Sequence, residues 1–285
     1  MNKILAKKKL SENVFMMQIE SPLIASERLP GQFIILSLSD DYAERIPLTI
    51  ADADPVKGSI TIIFQAVGKT TKNLAKLDAG DKIANLVGPL GSPTHIEKFG
   101  TVVCIGGGIG VAPMHPIAQG MKKAGNKVVI IIGARSKDLV IMEDEMRKIA
   151  DELIICTDDG SYGRKTLVTE PLKELCERSP KPDLAVAIGP PIMMKFCAAA
   201  TKPYNVPTVV SLNTIMVDGT GMCGGCRVTV GKETKFVCVD GPEFDGHLVD
   251  FDNMMKRLNS YKKQEKLHDE KDCHLNQQIE TARKN

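Results

Sequence analysis

The chain has 285 residues, of which 43% are apolar and 25% charged, and a formal net charge of +2. That length holds two medium domains or three small ones, with the composition of an ordinary globular protein. So small a net charge argues against general attraction to nucleic acid or acidic membranes, and no apolar run approaches the roughly 18 residues of a membrane span.

The N-terminus is basic (Lys3, Lys7, Lys8, Lys9), but neither an apolar stretch nor a small-residue cleavage site follows, so no secretory signal is expected. The eight cysteines are scattered apart from one Cys-x-x-Cys. This fits metal binding in a reducing compartment better than a disulfide framework, and a cytoplasmic location is expected.

Residues 1–98 read as mostly strand. Short apolar runs (Phe33-Ile34-Ile35-Leu36, Leu48-Thr49-Ile50, Ile60-Thr61-Ile62-Ile63-Phe64) are separated by Pro30-Gly31, Asp54-Pro55 and Lys57-Gly58. Such spacing predicts a small antiparallel barrel. Within it, Arg45 to Thr49 follow one strand, and Gly68 to Leu74 follow another and open a helix. An arginine, hydroxyls and helix N-terminal amides suit a dinucleotide pyrophosphate, and a threonine hydroxyl such as that of Thr49 can tune a flavin ring. Taken singly, each piece also reads as a surface arginine or an N-capped helix.

From 99 to 210 strands alternate with helices: strands at 101–105, 127–132, 153–156 and 184–188, and helices at 113–123, 139–149 and 167–177. The alternation predicts a parallel sheet covered on both faces. Gly106-Gly107-Gly108-Ile109-Gly110 lies between the first strand and helix, where glycines let backbone approach a pyrophosphate. It is one residue short of G-x-G-x-x-G, so a tight turn without a ligand is the competing reading. Asp158-Asp159-Gly160 and Gly189-Pro190-Pro191 also lie at carboxyl ends of predicted strands, where such sheets bind ligands. Arg135, after the second strand, would by the general rule favour a 2′-phosphate, or it is simply a solvated arginine.

Residues 211–250 are rich in Gly and Cys. Asp218-x4-Cys223-x2-Cys226-x11-Cys238 has the spacing of a plant-type 2Fe–2S ligand run, with aspartate in the first cysteine's place. Half a zinc site or a redox dithiol are the alternatives, but a second Cys/His pair is poorly placed (His247, Cys273) and the dithiol would open a helix. Asp218 reads either as an oxygen ligand or as an acidic turn residue. Cys104, Cys156, Cys176 and Cys197 are expected to be small core residues. A nicotinamide gives up two electrons as hydride and a 2Fe–2S cluster takes one at a time, so a flavin is expected between them. Residues 251–285 form a charged tail with a helical candidate at Phe251–Lys262.

These motifs, in this order and over essentially the whole chain, resemble the ferredoxin–NADP reductase superfamily. Within it the chain is similar to the iron–sulfur flavoprotein subunits of dihydroorotate dehydrogenases, and more so to the small subunits of NADH-dependent reduced ferredoxin:NADP oxidoreductases. The likeness rests on the Asp218 to Cys238 run, on Gly106 to Pro113, and on Val249-Asp250-Phe251-Asp252. The dihydroorotate-linked subunits have cysteine in place of Asp218, arginine in place of Ile46, and generally a shorter tail. The resemblance implies an FAD-binding barrel, a Rossmann-like NAD-binding domain, a small 2Fe–2S subdomain and a partner-docking tail.

It further implies FAD contacts at Arg45, Pro47, Leu48, Thr49, Ile63, Phe64, Gln65, Thr70 and Thr71. NAD(H) contacts are implied at Gly107, Gly108, Gly110, Val111, Ala112, Arg135, Asp159, Gly160, Gly189, Pro190 and Met193, and cluster ligands at Asp218, Cys223, Cys226 and Cys238. Hydride would pass between NAD(H) and FAD, and single electrons between FAD and the cluster. A larger flavin and iron–sulfur subunit would bind NADP(H) and exchange electrons with ferredoxin in an electron-bifurcating complex. The alternatives are a dihydroorotate dehydrogenase electron-transfer subunit and a zinc-stabilised nucleotide module without a redox role.

Overall fold

The structure, a computed structural model, describes residues 2–39 and 44–264. The first sheet contains β1 (Asn2–Ser11), β2 (Val14–Glu20), β3 (Phe33–Ser37), β4 (Ile46–Asp54), β5 (Ser59–Gln65), β6 (Lys82–Ile83) and β7 (Asn85–Leu90). Helices α1 (Pro22–Glu27) and α2 (Lys69–Leu74) join its strands. The order is β6-β1-β2-β5-β4-β3-β7, antiparallel throughout. The two end strands are separated in sequence by Ala84 alone, so the sheet curls into the nearly closed barrel that its turn spacing predicted. Alternate residues fill it: Ile60, Ile62 and Phe64 of β5 point inward beside Ile34, Leu36 and Ile50.

The second sheet contains β8 (Thr101–Gly107), β9 (Lys127–Ala134), β10 (Glu152–Thr157), β11 (Arg164–Lys165), β12 (Leu184–Ile188), β13 (Thr208–Ser211) and β16 (Glu243–Asp245), in the order β11-β10-β9-β8-β12-β13-β16. All pairings are parallel except β13–β16. Helices α3 (Val111–Lys123), α4 (Glu143–Ile149), α5 (Thr169–Cys176) and α6 (Pro191–Thr201) cover it. Because both faces are covered, β8 is apolar on both: Val103 and Ile105 join one core, Val102 and Cys104 the other. Cys104, Cys156, Cys176 and Cys197 are all buried, as expected of small core residues. The helix expected over 139–149 is shorter, because Met142 takes a left-handed conformation (φ 57°) that sets α4's start at Glu143.

The last elements are the hairpin β14 (Arg227–Val230) and β15 (Glu233–Phe236), α7 (Val237–Asp240) and α8 (Phe251–Leu258). β16 lies within the stretch read as a separate cluster subdomain, yet it completes the edge of the parallel sheet. Residues 265–285, most of the expected docking tail and including Cys273, lie outside the described residues.

The barrel's outer faces are built into both other cores. Ile63 of β5, Ala51 of β4 and Val14 pack with Val111, Ala112 and Ile117 of α3. Phe33 and Ile35 of β3 join the cluster that holds Cys226 and Cys238. Each such valine, isoleucine or phenylalanine side chain contributes about 1.5–3 kcal/mol when fully buried, which ties the pieces into one body. Polar contacts cross the same seam. His115 of α3 is buried with its Nδ1 3.4 Å from the Ala51 carbonyl oxygen. The Ser92 amide donates to the Gly241 carbonyl (2.6 Å), and the Thr94 hydroxyl donates to Glu243 Oε1 (2.6 Å).

Burial pushes the Glu243 carboxyl up to about 7, against a smaller downward pull from Thr94. The folded state thus holds a proton that the unfolded state has released. Glu243's contribution to stability is full below the ordinary carboxylate value and is lost as pH rises through about 7. Glu243→Gln is expected to flatten the change in urea midpoint between about pH 5 and 8; a slope equal to the parent's would show that this carboxyl does not titrate with folding.

Candidate functional site

Strand order reverses between β8 and β12, the topological switch point at which open α/β sheets leave a crevice. The glycine run enters that crevice: Gly107 ends β8, and Gly108–Gly110 form a single 3-10 turn into α3. Gly110 is obligatory there, since a Cβ would stand 2.2 Å from the Ile188 carbonyl oxygen. On the β12 side, Gly189, Pro190 and Met193 close against Gly107; a Cβ on Gly107 would lie 2.3 Å from Met193 Sδ. Val111 and Ala112 are buried in the first turn of α3.

Arg135 is exposed at the end of β9, and its carbonyl accepts from the Asp159 amide at 3.2 Å. Asp159 Oδ1 in turn accepts from the Ser161 hydroxyl (2.6 Å) and amide (2.9 Å), which hold the carboxyl below its ordinary range. Ser161 Oγ also accepts from the Lys137 amide at 2.8 Å. The loops after β9 and β10 are thus tied together beside the crevice. Of the residues expected to contact NAD(H), Gly107, Gly108, Gly110, Val111, Ala112, Gly189, Pro190 and Met193 gather at the switch point, while Arg135, Asp159 and Gly160 stand on the adjoining loops.

Across the seam, β4 presents its outer face. Phe33 pairs with Thr49 and Ile35 with Pro47, so these four residues share one side of the β3–β4 ribbon. Ile46 to Thr49 are only half-buried although β4 is internal to the sheet, whereas β3 is buried along its length. On the outer side this leaves Pro47 and the Thr49 hydroxyl for a planar ring, while Ile46 and Leu48 turn to the barrel core. Arg45 is exposed just before it. Phe64 faces the barrel core and Ile63 faces α3, so Gln65, half-buried at the strand end, is the member of that trio with side-chain access. The Thr70 hydroxyl donates to Glu44, and Thr71 Oγ1 caps α2 by accepting from the Gly68 (3.0 Å) and Val67 (3.1 Å) amides. Both hydroxyls expected to face a ligand therefore have internal partners.

The cysteine loop packs against this ribbon. Gly219 has φ 73°, and a Cβ there would meet Ile35 Cγ1 and Leu90 Cδ1 at 2.8 Å, so only glycine brings the loop onto β3 and β7. Asp218 accepts through Oδ1 from the Thr220 amide (3.0 Å) and through Oδ2 from the Cys223 amide (2.8 Å), which hold its carboxyl below the usual range. The Gly225 amide donates to Cys223 Sγ at 3.4 Å. Cys223 is exposed, while Cys226 and Cys238 are 1% exposed with sulfurs 3.3 Å apart.

That separation is close to the roughly 3.7 Å between two thiolates on one tetrahedral metal with metal–sulfur bonds of about 2.3 Å. Burial, then the neighbouring Cys226, pushes the Cys238 thiol up to about 12, so metal binding here displaces protons. Among the described residues no three His, Cys, Asp or Glu side chains converge on one ion position. The expected ligands instead form two pairs, Asp218 with Cys223 and Cys226 with Cys238, an arrangement that fits a two-iron cluster better than a single zinc.

Two contacts were not legible in the sequence. Arg227 Nη1 donates to the Gly224 carbonyl (2.9 Å), and Arg257 Nη2, from α8, donates to the Gly225 carbonyl (3.1 Å). Arg227 follows Cys226 directly, and proximity could have flagged it; Arg257 lies 31 residues beyond Cys226, and no local signal points to the loop.

Comparison with known proteins agrees with this geometry. Residues 213–250 match the iron–sulfur cluster binding domain of dihydroorotate dehydrogenase B, and residues 104–199 match the oxidoreductase NAD-binding domain. The chain is 49% identical over 267 residues to the dihydroorotate dehydrogenase B (NAD(+)) electron transfer subunit homolog of Thermotoga maritima, covering 94% of each. It is 33% identical to the electron transfer subunit of that enzyme from Fusobacterium nucleatum, covering 82% of this chain and 92% of the relative. A chain in a structure described as giving insights into flavin-based electron bifurcation, that of NADH-dependent reduced ferredoxin–NADP oxidoreductase, superposes with a TM-score of 0.89. It is 48% identical, over 95% of this chain and 97% of the other. A ferredoxin NADP+ reductase from Neisseria gonorrhoeae shares the fold at 16% identity and a TM-score of 0.58, over 72% of this chain and 90% of its own.

Two substitutions separate the sites. Cys238→Ser is expected to remove most of the bound iron, and Cys197→Ser to leave it unchanged, as read by iron and acid-labile sulfide analysis. Gly110→Ala is expected to destabilise the fold by about 1–3 kcal/mol in urea titration, because the added methyl overlaps the Ile188 carbonyl.

Proposed function

Since the chain belongs to the family of dihydroorotate dehydrogenase B electron-transfer subunits and their homologues, we propose that it is the iron–sulfur flavoprotein subunit of an electron-bifurcating NADH-dependent ferredoxin:NADP+ oxidoreductase. The observation that carries this reading is one packed body in which α3, which follows the glycine turn, meets Ala51 of β4 while the cysteine loop seats on β3, the partner of β4. It is joined by full-length similarity to the bifurcating oxidoreductase and by Asp218 in the first ligand position. The whole reads as an FAD barrel (1–98), an NAD-binding domain (99–210), a 2Fe–2S segment (211–250) and a docking tail (251–285).

When bound, FAD accepts hydride and releases electrons singly, and a 2Fe–2S cluster carries one electron at a time. No side chain is needed as general acid or base for hydride exchange, so this chain's task is positioning. Pro47 and Thr49 would seat the flavin ring, with Leu48 turned to the barrel core and contributing only backbone, the Thr49 hydroxyl near N5 and Arg45 toward the pyrophosphate. The backbone amides of the α2 turn would assist at Thr70 and Thr71, whose hydroxyls are engaged elsewhere. The glycine turn at 107–110 and the start of α3 would hold the NAD(H) pyrophosphate, while Gly189, Pro190 and Met193 line the crevice floor. Asp218, Cys223, Cys226 and Cys238 would hold the cluster beside β3, one strand from Pro47.

Electrons would leave on the side where Cys223 is exposed. Met222, the neighbour of Cys223, is 89% exposed, and Val217 and Val239 are exposed as well. This apolar rim suits a larger partner subunit that binds NADP(H) and exchanges electrons with ferredoxin. No helix among the described residues is long and apolar enough to cross a membrane, and a cytoplasmic location is proposed.

Full-length protein purified anaerobically is expected to show flavin and Fe–S absorption and to be bleached by NADH much faster than by NADPH. With its partner it is expected to couple NADH, NADP+ and ferredoxin, and turnover with dihydroorotate alone would favour the dihydroorotate-linked reading. Asp218→Cys is expected to keep a 2Fe–2S EPR signal but shift its potential; an unchanged potential would remove Asp218 from the ligand set. Met222→Glu is expected to weaken partner association by about tenfold or more while iron content stays the same.

A further inference from the structure

Two arginines from different elements each bind one of two successive peptide carbonyls in the cysteine loop. Arg227 Nη1 donates to the Gly224 oxygen at 2.9 Å. The amide of that same peptide unit is the Gly225 N–H, which donates to Cys223 Sγ at 3.4 Å. A guanidinium, a peptide and a sulfur thus stand in one hydrogen-bonded series. Arg257 Nη2 donates to the Gly225 oxygen at 3.1 Å, and the amide of that peptide unit is the N–H of Cys226. A carbonyl that accepts from a cation leaves its peptide N–H a stronger donor, because hydrogen bonds in series polarise one another.

Arg257 is delivered with care. Asp250 caps α8 by accepting from the Asn253 amide (3.0 Å), Phe251 and Met254 are buried, and Lys195 pairs with Asp252 at 2.7 Å. The Asp250 amide is bound by Thr229 of β14, the strand that begins with Arg227. The helix end and the hairpin therefore converge on the loop together.

We propose that Arg227 and Arg257 are positioning residues that set the reduction potential of the cluster, raising it by placing positive charge on the two successive peptides between Cys223 and Cys226, the first of which donates its amide to Cys223 Sγ. The inference rests on the cluster assignment made above. Reduction adds negative charge to the cluster, and the potentials of such centres follow net charge and hydrogen bonding at sulfur. Arg257 is half-buried and Arg227 exposed, so water and salt screen the second more.

The test is an EPR-monitored redox titration of full-length, anaerobically purified protein carrying Arg227→Gln, Arg257→Gln or the corresponding Lys variants, each matched for iron and sulfide. At a poise that half-reduces the parent, each Gln variant is expected to show a reduced-to-oxidised ratio lowered about fivefold, from loss of the charged donor. The Lys variants keep the charge without the fork and are expected to fall between. The Arg227→Gln shift is expected to shrink in high salt and the Arg257→Gln shift to persist. Gln variants with full iron content and the parent's potential would overturn the proposal. Should the Gln variants fail to hold iron, an unchanged potential in both Lys variants would overturn it equally. A parent protein without a 2Fe–2S signal would instead refute the cluster assignment itself.

Discussion

The seating of Gly219 on Ile35 and Leu90 is the contact on which the rest of the arrangement depends. It brings a loop of cysteines from the far end of the chain onto the outer face of a barrel strand near its beginning. That strand pairs with β4, whose half-buried outer face carries Pro47 and Thr49. A side chain larger than hydrogen at position 219 would hold the loop away from β3 and lengthen the path between the two faces. The left-handed φ of 73° adds a second reason for glycine there.

The same economy runs through the seam. A barrel would ordinarily turn a polar outer surface to water, but here Val14, Ala51 and Ile63 feed one core of the parallel sheet, and Phe33 and Ile35 feed the other. The two sheets are consequently one packed body, and the first turn of α3, which follows the glycine run, packs against the barrel. Glu243 marks the cost of that closure. Its carboxyl sits in the seam with the Thr94 hydroxyl as its partner, and burial opposes its charge.

Charge around the cysteine loop is balanced locally. Asp218 takes two backbone amides, Cys223 takes a third, and two guanidinium groups occupy the carbonyls of the peptides between Cys223 and Cys226. Amide donors and cations surround a segment built to hold negative charge. Cys226 and Cys238 lie within the apolar core, and Cys223 meets solvent. The two pairs therefore have different surroundings: the all-thiol pair is dry, and the pair that contains Asp218 reaches solvent through Cys223.

Much of this was legible in the residues alone. Turn spacing announced the barrel, strand and helix alternation announced the parallel sheet, and the x4-x2-x11 spacing pointed to an iron–sulfur segment, because each is a local periodicity or a short-range spacing. The glycine run was legible as a tight turn, but the reason for Gly110, the Ile188 carbonyl, lies 78 residues away in sequence. Thr70 and Thr71 looked free to meet a ligand; tertiary packing gives the Thr70 hydroxyl to Glu44, while a local cap at the start of α2 takes that of Thr71. Ile63 and Phe64 are neighbours with one apparent role, yet strand alternation sends one to α3 and the other into the barrel. The sequence by itself determined which chemistries are present and in what order. Tertiary structure decided their distances and environments (β3 under Gly219, Arg257 on Gly225, Glu243 in the seam), since such contacts join residues far apart in the chain and follow no local period.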